Sequence, residues 1–292
     1  VQGLEINEFI HLSLFDSEVG FEPNDFKLTS DHIKAMIFTF KYDINLLKEF
    51  YEQLKCGDQN DSIFFANQTA KQACGTYALI NILMSLKKSD PNISEYFKSG
   101  QILSFLQEVA ENMSPMDAGD TIAGFDEIKE IHNSFASPNM LEISEDELKY
   151  DKSSNEICHF VSFMPINGHL YEFDGLKKSI VDHGEIPPNL CWIKTVHDVI
   201  KKYISCFKTS ENSFCLLSVE KSNLLRIDDK LKNPNISLEE KQSLVLAKEY
   251  EKVKLINYQK QNEFRRLNFF PMIVKILKLY ARQGELYNQM KR

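Results

Sequence analysis

A single thiol, Cys74, stands at the threshold of an almost uninterrupted apolar run in "NQTAKQACGTYALINILMSL" (67–86). A buried cysteine ordinarily behaves as a small hydrophobe, so position is what sets this one apart. Ala73, Ala78, Leu79, Ile80, Ile82, Leu83 and Met84 fill most faces of a helix predicted from about Gln72. Cys74 then falls in the first turn. Unpaired backbone N–H groups and the positive end of the helix dipole favour the thiolate there, the form that attacks a carbonyl carbon.

A cysteine nucleophile needs a base, usually histidine, and a group that orients the base. Of seven histidines, His11, His32, His132, His183 and His197 have nothing distinctive beside them, and a surface or hydrogen-bonded side chain is their ordinary reading. His159 lies in the strand-like run "ICHFVSFMP" (157–165), which "HLYEFDG" (169–175) follows after Asn167-Gly168. If Asn-Gly forms a two-residue type I′ turn, Ile166 pairs with His169 and His159 faces Leu176. His159 and Asp174 then share a face as diagonal neighbours, roughly 7–8 Å apart at the backbone. A one-residue change in the turn puts them on opposite faces. His169 lies on the face opposite Asp174 and ranks below His159; Asp182 is the reserve acid. The oxyanion of acyl transfer also needs donors. The Cys74 backbone N–H is one, and Gln68 or Gln72 supplies the other; spacing alone does not choose between them.

These residues require a scaffold of mixed type. Short β-like runs at 35–42, 62–66, 157–165, 169–175 and 213–220 alternate irregularly with helical patterns at 43–55, 72–87, 94–113, 122–135 and 193–208, which predicts an α+β domain. The acidic, aperiodic stretch "ASPNMLEISEDELKYDKSSNE" (136–156) is long for a mere connection and reads as a lid. After about Glu220 the character changes. Ser237 and Glu240 form a capping-box signature ahead of a long helical segment to about Leu267, and Pro271 can open a second helix, "PMIVKILKLYA", charged only at Lys275 and Lys278. So apolar a helix implies packing against the rest of the chain, a second copy or a partner.

Composition narrows the classes. At 43% hydrophobic and 26% charged residues, with a net charge of −8, the chain suits a soluble globular protein of one large and one smaller domain. Its six cysteines show neither C-x-x-C pairs nor a zinc-binding spacing, which favours reduced thiols in the cytoplasm or nucleus. The apolar run from Ala73 stops at Lys87, too short for a bilayer, and no Gly-rich phosphate loop is present. Residues 223–292 carry 15 Lys/Arg against 8 Asp/Glu, leaving 19 against 34 in residues 1–222. That −15 balance favours basic ligands and argues against nucleic acid; the acids interspersed in the basic segment read as a solvated helix face.

Two blocks resemble a known family. "FFANQTAKQACGTYALINILMSL" and "CHFVSFMPINGHLYEFDGLK" are similar to the active-site blocks of the ubiquitin C-terminal hydrolases, papain-like cysteine peptidases with Gln, five residues, then the nucleophilic Cys. The resemblance implies Cys74 as nucleophile, Gln68 rather than Gln72 as oxyanion donor, His159 as base and Asp174 as orienting acid. It implies a papain-like α-β-α sandwich with a central, mostly antiparallel sheet in residues 1–222, and an all-helical extension in residues 223–292. "IHNSFASPNM" (131–140) resembles the approach to the family's crossover loop, in accord with a lid at about 137–156. "NEFRRLNFFPMIVKILKLYA" resembles the extension of the longer, proteasome-associated members, which dock on a proteasomal ubiquitin receptor. The family's opening strand, with its Trp and "ESDP"-like signature, has no counterpart before Val1, and no Lys/Glu-rich tail precedes Arg292, as expected of a truncated chain.

The expected activity is thiol-mediated hydrolysis after ubiquitin's C-terminal glycine, with no metal or organic cofactor, no nucleic-acid partner and no membrane, in cytoplasm and nucleus. The competing expectations are a ubiquitin-binding proteasome adaptor with little or no activity, and a hydrolase for another ubiquitin-like modifier.

Overall fold

The computed structural model describes residues 10–15, 32–57, 63–89, 101–110, 112–134, 158–207 and 214–282. Six strands, β1 (Ile10–Phe15), β2 (Ile33–Lys41), β3 (Cys158–Ile166), β4 (His169–Phe173), β5 (Val181–Glu185) and β6 (Cys215–Lys221), form one sheet in the order β1-β6-β2-β3-β4-β5. Every neighbouring pair is antiparallel. Nine helices accompany it among the described residues: α1 (Ile44–Glu52), α2 (Cys74–Ser89), α3 (Gln101–Ala110), α4 (Pro115–Gly124), α5 (Asp126–Asn133), α6 (Trp192–Cys206), α7 (Asn223–Leu231), α8 (Leu238–Arg266) and α9 (Phe270–Arg282).

The sheet is buried on both faces, which is why "AMIF" in β2 reads as a continuous apolar run rather than an alternation. Ala35 and Ile37 pack with α2 to α5 through Tyr77, Ile80, Leu83, Leu106 and Ile122. Met36, Phe38 and Phe40 join the opposite cluster, with Leu47 of α1 and Ile193, Val196 and Tyr203 of α6. Period-two alternation thus builds two cores from one strand, and the architecture is an α-β-α sandwich.

The β3–β4 hairpin has the register the Asn-Gly turn predicts: Ile166 pairs with His169 and Ser162 with Phe173. Asn167 and Gly168 have φ of 50° and 83°, the left-handed region that a type I′ turn requires at both positions.

Several local expectations differ. Residues 63–66, read as a strand, pair with no strand. Their backbone bonds instead to two side chains one turn apart on α2: Ser85 Oγ accepts from the Phe64 N–H and donates to its carbonyl, both at 3.0 Å. Asn81 accepts from the Ala66 N–H at 2.8 Å and donates to its carbonyl at 3.2 Å. Two polar helix residues therefore do what a neighbouring strand would do. The helix expected at 122–135 is two helices, broken at Phe125 in extended conformation; Ser114 caps α4 with Pro115 in its first turn. Helix α2 begins at Cys74, two residues later than predicted. Strands β1 and β5 and helix α7 are elements the apolar pattern does not single out. The candidate lid at 137–156 lies outside the described residues.

Beyond β6, Ser237 caps α8 by accepting from the Glu240 N–H at 3.1 Å, as the capping-box signature predicts. Helix α9 buries none of its residues, and Met272, Ile273, Ile276, Leu277, Leu279 and Tyr280 are exposed.

Candidate active site

Cys74 is the first residue of α2, and a thiol there meets backbone N–H groups that no preceding carbonyl can satisfy. Its Sγ lies 3.7 Å from the Cys158 carbonyl and within hydrogen-bonding reach of the His159 ring. His159 is 3% exposed; its Nε2 is 2.8 Å from Asp174 Oδ1. The same Oδ1 accepts from the Leu176 N–H at 3.0 Å, which fixes the carboxylate relative to its own turn. Phe40 stands edge-on to the imidazole at 5.7 Å between centroids and Tyr42 at 5.1 Å, so the ring is held from the sides as well as by Asp174 at Nε2.

The three groups arrive from different elements. Val161, Phe163 and Leu170 place the His159 side of β3 and the Asp174 side of β4 on the α6 face of the sheet, whereas α2 packs on the other face. Thiol and imidazole meet at the end of β3, where Cys158 begins the strand. At that end Gly75 sits against the Phe160 ring, and an added Cβ would lie 3.8 Å from it.

The electrostatics favour an ion pair. Burial pushes the Cys74 thiol up, but the hydrogen bond and charge of His159, with the backbone N–H groups of Phe160 and Gly75, outweigh it and lower the thiol below its ordinary value. Burial likewise disfavours imidazolium, yet the hydrogen bonds to Asp174 and Cys74 raise His159 from 6.5 to about 9. A thiolate beside an imidazolium is a nucleophile that has already lost its proton to its base.

Gln68 is tethered to the acid's turn: its N–H donates to the Gly175 carbonyl at 2.8 Å, and a side chain on Gly175 would approach Gln68 Cβ to 2.9 Å. Its Nε2 donates to the Ala70 carbonyl at 3.1 Å, leaving a second amide hydrogen. Gln72 is not a first-turn helix residue; it is exposed, with φ of 58°, in the turn before α2. The preceding Asn67 is clamped from two sides. Its Nδ2 donates to the Lys177 carbonyl at 2.5 Å and to the Gly175 carbonyl at 3.3 Å, while its own carbonyl lies 2.1 Å from where a Cβ on Gly119 of α4 would stand. Only glycine permits that approach.

The other histidines are engaged elsewhere. His169 pairs with Asp182 at 3.1 Å, which removes both the lesser-ranked base and the reserve acid from the thiol. His132 Nδ1 is 2.8 Å from Thr76 Oγ1, and His183 Nε2 is 2.8 Å from Glu172 Oε2. Glu172, with Lys177 and Tyr203, is a buried polar cluster that the sequence reading passes over. Its signal was present in the sequence: Glu172 and Asp174 sit two residues apart in the strand-like run 169–175, so period two sets both carboxylates on one face, where they call for a cation.

Residues 14–205 match the family described as ubiquitin carboxyl-terminal hydrolase, family 1. Ubiquitin carboxyl-terminal hydrolase ubh-4 of Caenorhabditis elegans is 28% identical over an alignment that spans 98% of this chain and 83% of that protein. Ubiquitin carboxyl-terminal hydrolase 2 of Schizosaccharomyces pombe is 29% identical over 86% of this chain and 77% of its own length. Ubiquitin carboxyl-terminal hydrolase isozyme L5 of Dictyostelium discoideum is 30% identical over 72% and 55%. Among solved structures, Trichinella spiralis UCH37 bound to ubiquitin vinyl methyl ester shares the fold, with a TM-score of 0.62 at 20% identity over 88% of this chain and 94% of that one.

Proposed function

The chain belongs to family 1 of the ubiquitin carboxyl-terminal hydrolases, and on that premise we propose that it is a deubiquitinating cysteine peptidase acting after the C-terminal glycine of ubiquitin through a Cys74 thioester. The observation that carries this reading is the buried His159 Nε2 to Asp174 Oδ1 contact of 2.8 Å, on an imidazole whose other side reaches the thiol at the start of α2.

In the reaction, His159 holds the Cys74 proton as imidazolium and Asp174 fixes the ring. The thiolate adds to the glycine carbonyl carbon and the carbonyl π pair moves onto oxygen. That oxyanion lies against the Cys74 N–H and the free amide hydrogen of Gln68. Collapse of the intermediate expels the amine, which takes the proton from His159. Water then adds to the thioester with neutral His159 as base, and ubiquitin leaves with a free carboxylate as Cys74 departs. The catalytic part is residues 1–222, whose −15 charge balance suits an arginine-rich substrate tail.

Residues 223–292 form a docking extension for a proteasomal ubiquitin receptor, in cytoplasm and nucleus. The unburied apolar residues of α9 support this, since a helix so apolar and so exposed is stable in company rather than alone.

Incubation with ubiquitin bearing a C-terminal vinyl methyl ester, followed by mass spectrometry, tests the enzymatic reading. A single adduct at Cys74 is expected. Ubiquitin binding without an adduct would instead favour an adaptor.

A further inference from the structure

Glu172 has no task in that chemistry, yet its carboxylate is wholly enclosed and every oxygen of it is occupied. Oε1 accepts from Lys177 Nζ at 2.5 Å and from Tyr203 Oη at 2.6 Å, and Oε2 is 2.8 Å from His183 Nε2. The Lys177 ammonium lies over the Tyr51 ring at 4.2 Å and stands 3.8 Å from Asp174 Oδ2, an oxygen with no hydrogen-bond partner. One part-buried cation therefore sits between two carboxylates that share a face of β4 and its following turn.

That placement has an electrostatic consequence. A cation so close to Asp174 competes with the His159 imidazolium for the same carboxylate, and alone it would favour neutral imidazole. Glu172 cancels that competition by drawing Lys177 onto itself. We propose that Glu172 is a positioning residue which, by holding and neutralising Lys177, keeps Asp174 aimed at His159 and preserves the imidazolium that the thiolate requires. Lys177 in turn accepts from Asn67 through its carbonyl, so the same residue ties the acid's turn to the segment bearing Gln68. The significance of this device rests on the catalytic reading above, although its measurement does not. The titratable groups that face the pair are Cys74 from α2, Tyr42 after β2, Tyr51 from α1, Tyr203 from α6, His183 from β5, and Glu172 and Lys177 themselves.

The test is the titration of the His159 ring carbon by NMR in the full chain labelled with 13C-histidine, the resonance being assigned by its loss in His159→Gln. Wild type is expected to titrate at about 9. Glu172→Gln, which unmasks Lys177, is expected to move the inflection down by about one unit, and Lys177→Met, which leaves Glu172 uncompensated, to move it up by a similar amount. A buttress that merely fills space would shift both variants alike, and shifts of one sign, or none beyond a few tenths, overturn the proposal. Should thermal unfolding show that Glu172→Gln does not fold, Lys177→Met decides alone: an upward shift supports the device and a downward or absent one overturns it. The ubiquitin-probe adduct is read separately on wild type. Its absence would sink the deubiquitinase reading while leaving the titration to stand or fall by itself.

Discussion

At the scale of residues, the site is governed by the mutual support of Cys74 and His159. With the thiol lowered, alkylation of Cys74 by iodoacetamide persists as pH falls below the ordinary thiol value of about 8.5. In His159→Ala the inflection rises toward that ordinary value and turnover falls by about 100- to 10,000-fold, checked by rate against pH and by hydrolysis of a ubiquitin adduct. The sign on the alkaline side follows from the raised imidazole. His159 sheds its proton as pH climbs through about 9, so wild-type turnover declines there and the profile is a bell. Much of this constellation was legible in the sequence. Period two and an Asn-Gly turn put His159 and Asp174 on one face, and a helix start marked Cys74. Spacing does not separate Gln68 from Gln72; the structure separates them by the tertiary tether of Gln68 to Gly175 and the left-handed backbone of Gln72 before α2.

At the scale of elements, the hairpin and α2 carry the precision. An extra residue inserted between Asn167 and Gly168 turns His159 and Asp174 to opposite faces and exchanges Leu170 with Tyr171 and Phe173 between the two cores, so activity is expected to vanish together with part of the stability, as seen by hydrolysis alongside urea unfolding. On α2, Asn81→Leu leaves the N–H and carbonyl of Ala66 buried without partners, and a loss of about 2–4 kcal/mol is expected in urea unfolding. Here the sequence misled, for "SIFFA" has the composition of a strand. Its hydrogen bonds go to helix side chains because Asn81 and Ser85, one turn apart, present donor and acceptor to an extended segment. The break at Phe125 was hidden for a similar reason: the apolar period continues across it, and the signal for two helices lay upstream in Ser114 and Pro115.

At the scale of the whole molecule, an acidic residue range 1–222, proposed as the catalytic part, precedes a basic one at 223–292. The α+β class was open to sequence reasoning because strand-like and helical runs mix without a regular alternation, whereas the sandwich came only with the family resemblance. The edge strand β5 was less open to it, since "VDHGE" carries a single apolar residue. Division of labour between the two parts predicts that Ile276→Glu and Leu277→Glu in the full chain abolish capture of a proteasomal ubiquitin receptor and leave hydrolysis of a small ubiquitin adduct unchanged. Calorimetry and turnover on the same preparation check this.

The bond set between α2 and residues 63–66 also bears on how the molecule breathes. Backbone amides outside any ladder ordinarily trade their protons with water within moments of an opening of the loop that carries them. Those of Phe64 and Ala66 can do so only when α2 itself lifts away, since their acceptors are on that helix. They are therefore expected to retain protium in heavy water as long as the innermost amides of β2. Cys74 and the segment leading to Gln68 would then come apart in one concerted unfolding event, and a partly open chain would not keep half of the candidate site.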